Sequence, residues 1–252
     1  MSALLSSMAL AFRRIRLAPP RLPERYDMGD YGLFMREETF LYSPAYVRRR
    51  VLLEGSENLT DLADKSGVMV AFLHYGSWIL AGGAISHELG LPYTVVASRR
   101  NLEILPEDEK NFWYGVHKRC SELYGHALFY SDQSPRLPLA WLEEGNILGI
   151  VLDVREVGRE FKEEEFVFLG RKITMQTGPA RLACISGVPI VPATICYHPK
   201  ERRHHLHFDA PIHPDGNPRN MTQALLDILG RRLADAPDQQ FYDIIGEFGV
   251  DR

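Results

Sequence analysis

Residues 68–78 read VMVAFLHYGSW, and this stretch decides the fold. Six consecutive apolar residues, Val68 to Leu73, follow Gly67, and a short continuous apolar run of this kind reads as a strand buried on both faces. A histidine, His74, closes it, and a glycine, Gly76, precedes the next apolar segment. Working outward, strand-like and helix-like segments alternate. Tyr93–Ala97, Ile147–Leu152 and Pro189–Ile195 read as further strands, with His204–Phe208 as a fifth at an edge. Leu80–Leu89, Asn111–Tyr124, Leu137–Glu144, Gly178–Ser186 and Met221–Ala234 read as helices, four of the five followed by a glycine or ending close to one. Alternation of this kind predicts an α/β fold, a mostly parallel central sheet flanked by helices.

The chain has 252 residues, 45% hydrophobic and 25% charged, which fits one large domain with or without an added arm. The net charge of −4 argues against a basic nucleic-acid binder. Cys120, Cys184 and Cys196 are too few and too scattered for a disulfide framework or a cysteine-based zinc site, and a reducing compartment fits best. Residues 1–25 are different in kind. They open with MSALLSSMALAF and carry five arginines against the single acid Glu24, so the arm is +4 and the rest of the chain −8. The apolar stretch is too short to span a bilayer, which needs about 20 residues. Its arginines follow it, the reverse of a signal peptide. The expectation is therefore a helical, amphipathic basic arm over 1–25, either a foot on an anionic membrane surface or a segment packed on the body, and an α/β domain over 26–252.

In open α/β sheets chemistry collects beyond the carboxyl ends of the strands. His74 and Asp153 both stand at such ends. If their strands are neighbours, Asp153 would orient the His74 imidazole as a general base for a hydroxyl. Gly76 allows close backbone approach, and amides near it would be placed to receive an anion. Arg99 and Arg100, read on a strand end, would point to opposite faces, with Arg99 favoured toward the site. Arg155 either binds phosphate or orders its loop through a salt bridge. The run Lys162–Glu165 reads as a solvated loop. His198, His204, His205 and His207 invite a zinc reading, but no cysteine and no HExxH pattern completes a set, so a solvated edge hairpin is the reading adopted.

With these residues on the page, HYGSW after an apolar strand resembles the first block of the lysophospholipid acyltransferase superfamily. It is most similar to the lipid A late-acyltransferase branch of lauroyl and myristoyl transferases. Arg99-Arg100-Asn101, the segment WLEEGNILGIVLDVREVGR and the segment FVFLGRKITMQTGPARLACISGVPIVPATI resemble later blocks, in the family's order, over roughly residues 40–240. The resemblance implies a glycerolipid acyltransferase-like fold and transfer of an acyl group from an acyl or peptidyl carrier protein, or from CoA, to a hydroxyl of lipid A or a phospholipid. It implies a peripheral position on the cytoplasmic side of the inner membrane, with no metal and no organic cofactor. His74 would be the base, and Tyr75, Gly76, Ser77, Arg99, Arg155, Gly178 and Arg181 would meet substrate. One position departs. The family's acid falls five residues after the histidine, and here that residue is Ile79, which accepts no hydrogen bond. Asp153 is the expected substitute. The departure also fits a branch that moves an aminoacyl group such as glycyl, or a catalytically weak lipid-binding or complex-forming relative.

Overall fold

The structure is a computed structural model that describes residues 38–158, 162–241 and 243–250. The arm over 1–25 and its boundary lie outside the described residues. Among these residues the chain runs α1 (Pro44–Arg50), β1 (Val51–Glu54), α2 (Glu57–Ala63), β2 (Val68–Phe72), α3 (Trp78–His87) and β3 (Tyr93–Ala97). It continues α4 (Arg99–Glu103), α5 (Glu107–Tyr124), β4 (Phe129–Tyr130), α6 (Arg136–Glu143) and β5 (Ile147–Val151). An antiparallel hairpin follows, β6 (Glu163–Phe168) and β7 (Arg171–Gln176). The chain ends α7 (Gly178–Ser186), β8 (Ile190–His198), β9 (Arg203–Phe208), α8 (Pro218–Asp235) and α9 (Ile244–Phe248).

Seven strands form one sheet in the order β1-β9-β8-β2-β5-β3-β4. All neighbours are parallel except β8 and β9. The five residues of β2 are all buried, because side chains alternate between two covered faces. Val68, Val70 and Phe72 enter one core with Leu80 and Ile85 of α3 and Leu123 of α5. Met69 and Ala71 enter the other, with Ala183 of α7, Leu225 and Leu229 of α8 and Phe168 of β6. The mixed run VMVAF thus serves two cores at once, which is why it lacks polar alternation.

Three expectations need correction. The strand expected at an edge over His204–Phe208 lies inside the sheet, since β1 pairs with it in parallel and takes the edge. Four residues are too few for β1 to show a period. The expected loop at Lys162–Glu165 opens a strand: β6 pairs with β7 and buries Phe166 and Phe168. Glu163 and Glu165 share the outward face with Val167, but Glu164 lies on the Phe166 side, half-buried near Arg181 and Arg219, so charge masked the alternation. Arg99 and Arg100 do not end a strand; they begin α4, capped by Ser98, whose hydroxyl accepts from the Asn101 amide. Among the described residues no helix is long and apolar enough to cross a membrane.

The β6–β7 turn has two residues, Leu169 and Gly170, and both have positive φ, 50° and 76°. Such a two-residue connection matches the twist of a hairpin but favours Asn-Gly. A leucine in this region costs about 1–2 kcal/mol of backbone strain. Leu169→Asn is therefore expected to raise stability by roughly 1 kcal/mol, read as a higher urea midpoint at unchanged slope; a lower midpoint would mean that the Leu169 side chain contributes more than its backbone costs.

Candidate active site

Neighbouring parallel strands set the site. β2 and β5 pair with Phe72 opposite Val151, and the Leu152 amide still bonds the Phe72 carbonyl at 2.9 Å. Carried two residues further, the register sets His74 beside Asp153. Both Asp153 carboxylate oxygens accept the His74 backbone N–H at 3.0 Å, and Oδ1 lies 3.1 Å from the His74 Nδ1. The Asp153 side chain is fully buried, whereas 20% of the His74 side chain is exposed. A buried carboxylate that accepts from both the backbone and the ring fixes the ring's direction and tautomer, leaving Nε2 as the basic nitrogen.

The ring is also held by its surroundings. The edge of Trp78 packs against it at 4.7 Å between centroids, and Phe241 lies at 6.3 Å. Phe241 is itself tied down, because its amide donates to the His74 carbonyl at 2.9 Å. Gly76 sits at φ +59°, and a Cβ there would come within 1.5 Å of the Ile195 carbonyl oxygen, so only glycine fits. Its N–H is already given to the Gln239 carbonyl at 2.9 Å. The Gly76 amide itself is thus used within the fold, where β8 and the segment after α8 press on this turn.

His74 opens onto a cavity of about 480 Å³ that lies between the β2-β5-β3 surface and helices α3 and α5. Its wall is mostly apolar. Phe72, Ile79, Val95 and Leu128 contribute, with Trp78, Trp113 and Phe241 near the histidine and Tyr93, Tyr124 and Cys120 at the start of β3 and the end of α5. Polar atoms come from Ser98, Asn101, His117, Ser131, Glu156 and Gln176. Glu156 accepts from the Ser131 hydroxyl at 2.5 Å and lies 3.9 Å from the Arg100 guanidinium. Burial pushes the Cys120 thiol up to about 12, so it stays protonated.

The residues expected at the substrate divide into those on this cavity and those off it. His74 and Gly178 line it. Ile79 is buried and lines it too. Tyr75 is buried, its hydroxyl accepting from the Cys196 thiol at 3.0 Å. Ser77 is buried and donates to Glu38 at 3.1 Å. Arg99 stands outside, pairing with Asp132 at 3.2 Å and stacking on Tyr130 at 4.2 Å. Arg155 grips Glu163 with two guanidinium nitrogens at 2.8 and 3.0 Å, bonds the Thr174 hydroxyl at 2.8 Å and lies over the Phe248 ring. This is the loop-ordering alternative, and it anchors the β6–β7 hairpin. Arg181 bonds the Thr177 hydroxyl at 2.9 Å and approaches Glu164.

Sequence reasoning passed over Trp113, His117, Cys120, Glu156 and Phe241. For three of them a signal existed: Trp113, His117 and Cys120 recur with Val116 at helical spacing on one stripe of α5, which faces the cavity rather than solid core. Phe241 reaches His74 from more than 160 residues away, and no local pattern announces it.

Glu38 underlies the same loop. Fully buried, it accepts from the Tyr42 and Ser77 hydroxyls at 3.0 and 3.1 Å and lies 2.7 Å from His204 Nε2. Burial pushes its carboxyl up, but His204 and the hydroxyls of Tyr46 and Tyr42 outweigh that and hold it below the usual value.

Compared with known protein families, residues 30–242 match the model described as bacterial lipid A biosynthesis acyltransferase. No curated protein matches the chain.

Burial, with a smaller contribution from Arg99, lowers the His117 imidazole to about 4. A folded-state value below that of the unfolded chain means that the unfolded chain binds the extra proton. The stabilisation is complete above the ordinary histidine value near 6.5 and is lost as pH falls toward 4, at up to about 1.4 kcal/mol per pH unit. An NMR titration should find the His117 ring signals unchanged between pH 8 and 6, and His117→Gln should flatten the stability profile between pH 6 and 4; a His117 midpoint near 6.5 would contradict this.

Proposed function

The chain belongs to the bacterial lipid A biosynthesis acyltransferase family, and from that premise we propose that it moves a fatty acyl chain from a thioester donor to a hydroxyl of lipid A, with His74 as general base. The observation that carries this reading is the single apposition of His74, backed by Asp153, with a deep apolar cavity. The donor is an acyl carrier protein or CoA thioester. His74 Nε2 takes the proton of the acceptor hydroxyl as its oxygen attacks the thioester carbonyl, and Asp153 stabilises the imidazolium that forms. Collapse of the tetrahedral intermediate breaks the carbon–sulfur bond, the imidazolium returns the proton to the leaving thiolate, and an ester and a free thiol remain.

The cavity supports a fatty chain over an aminoacyl unit. About 480 Å³ is the room of a whole small ligand, and each methylene buried there contributes about 0.8 kcal/mol. A glycyl group would leave most of that apolar wall unused. Asp153 takes the place of the absent acid at Ile79, and its burial makes it a stiff partner. Arg99, beside the cavity-lining Ser98 on the outer side, is the candidate contact for a lipid A phosphate, since its side chain is 40% exposed. The enzyme would work as a peripheral protein on the cytoplasmic side of the inner membrane, where both substrates meet. Ile79 favours a second reading, a lipid-binding relative without catalysis, and the His74 variant distinguishes the two.

Mass spectrometry of the lipid A pool, with and without the protein, should find a species heavier by one fatty acyl chain, and His74→Ala should abolish it while lipid binding persists. A gain of one amino acid would replace the fatty donor with an aminoacyl one, and a product unaffected by His74→Ala would remove the base. In steady-state assays Asp153→Asn is expected to lower kcat on the order of 10²–10⁴-fold with little change in donor KM, since Asp153 lies off the cavity wall; an unaltered kcat would leave the histidine acting alone.

A further inference from the structure

A second cluster of ionisable side chains lies at the other side of the sheet, away from the cavity, where β1, β9 and the end of β8 meet. The antiparallel register puts His205 opposite Cys196, so His198, two residues on, shares its face. The two imidazole rings stack at 3.9 Å between centroids. Glu201, in the turn between the strands, reaches back so that its Oε2 lies 2.8 Å from His205 Nε2. On the other side of the ring, Nδ1 lies 3.0 Å from Oε1 of Glu54 on β1. We propose that His198, Glu201 and His205 bind a divalent transition-metal ion of the zinc type, with Glu54 as the outer carboxylate that orients His205.

Three arguments support the assignment. First, one ligand atom from each of the three residues lies within 4.8 Å of the others. Two donors on a tetrahedral zinc centre are about 3.3 Å apart, so small rotations of the exposed His198 and Glu201 side chains toward the half-buried His205 close the site. Second, between a ring nitrogen and a carboxylate oxygen something positive has to sit, a proton or a metal ion. His205 faces a carboxylate at both nitrogens, which is the arrangement of a metal-bound histidine whose second nitrogen donates to an outer carboxylate. Third, two imidazoles with one carboxylate select zinc-like ions over magnesium or calcium, which prefer all-oxygen sets. Reading the histidines alone gave an incomplete set. The acids that complete it come from a turn and from another strand. None of the four residues lines the cavity, so the ion would staple the β8–β9 turn to β1 rather than take part in acyl transfer.

The test is calorimetric titration of Zn²⁺ into the full chain, prepared without an affinity tag and stripped with chelator. One equivalent is expected to bind and to raise Tm. His198→Ala and Glu201→Gln, both on exposed side chains, should each weaken binding at least about tenfold, and Glu54→Gln about tenfold through loss of the orienting carboxylate. His213→Ala, a histidine outside the cluster, should match the parent. The proposal is overturned if the parent binds no equivalent of Zn²⁺, or if His198→Ala and Glu201→Gln bind as tightly as the parent, which would locate the ion elsewhere.

Discussion

One buried carboxylate organises the reactive end of this molecule. Asp153 has no contact with bulk solvent, and it accepts the backbone N–H of His74 with both oxygens as well as facing the ring at Nδ1. A charge held away from water is tolerated only where donors compensate it, so the end of β5 and the end of β2 are bound to one geometry. The ring is then aimed by main-chain register rather than by its own helix. The first turn of α3 carries Ile79, which accepts no hydrogen bond, so the contact to the ring comes from a neighbouring strand.

The rest of the site follows from keeping that ring dry on one side and reachable on the other. Trp78 and Phe241 pack on it, while the stripe Trp113, Val116 and Cys120 of α5 stands back far enough to leave a cavity. An amphipathic helix ordinarily closes on its sheet. Here large aromatics hold α5 off: Tyr93 packs edge-on against Tyr124 at 5.1 Å, and the Tyr124 hydroxyl donates to the Ile79 carbonyl at 2.9 Å. Behind the same loop, Glu38 gathers Ser77, Tyr42, Tyr46 and His204 in a fully buried network, so the turn after His74 is fixed from both sides. The loop carrying His74 is therefore built as a rigid part, as the role of general base proposed for it requires.

Much of this was legible before any coordinates. The apolar runs at 68, 93, 147 and 190 all became parallel or central strands, and the helix over Gly178–Ser186 has the bounds its sequence suggested. The pairing of His74 with Asp153 was readable because both close apolar strands, a position with few alternatives. Short or charged strands escaped notice: β1 has four residues, and β6 opens with three glutamates. The arginines were harder to place, for a different reason. Arg155 and Arg181 are cations near the site in sequence, but Glu163 and Glu164 meet them in space, and a chain read linearly does not reveal which charges are already neutralised.

By itself the amino-acid sequence determined the main elements and set His74 and Asp153 at strand ends, because hydrophobic periodicity and strand-end position are local properties written into neighbouring residues. It also determined that residue 79, on the helix beginning at Trp78, is an isoleucine, since that is a matter of residue identity. Only the tertiary structure decided that α5 leaves a cavity beside the ring, that Phe241 covers it, and that Gly76 gives its amide to Gln239. It alone decided that Glu54 and Glu201 converge on His205. Each of these depends on distances between segments far apart along the chain, which are set by how the two faces of the sheet are packed.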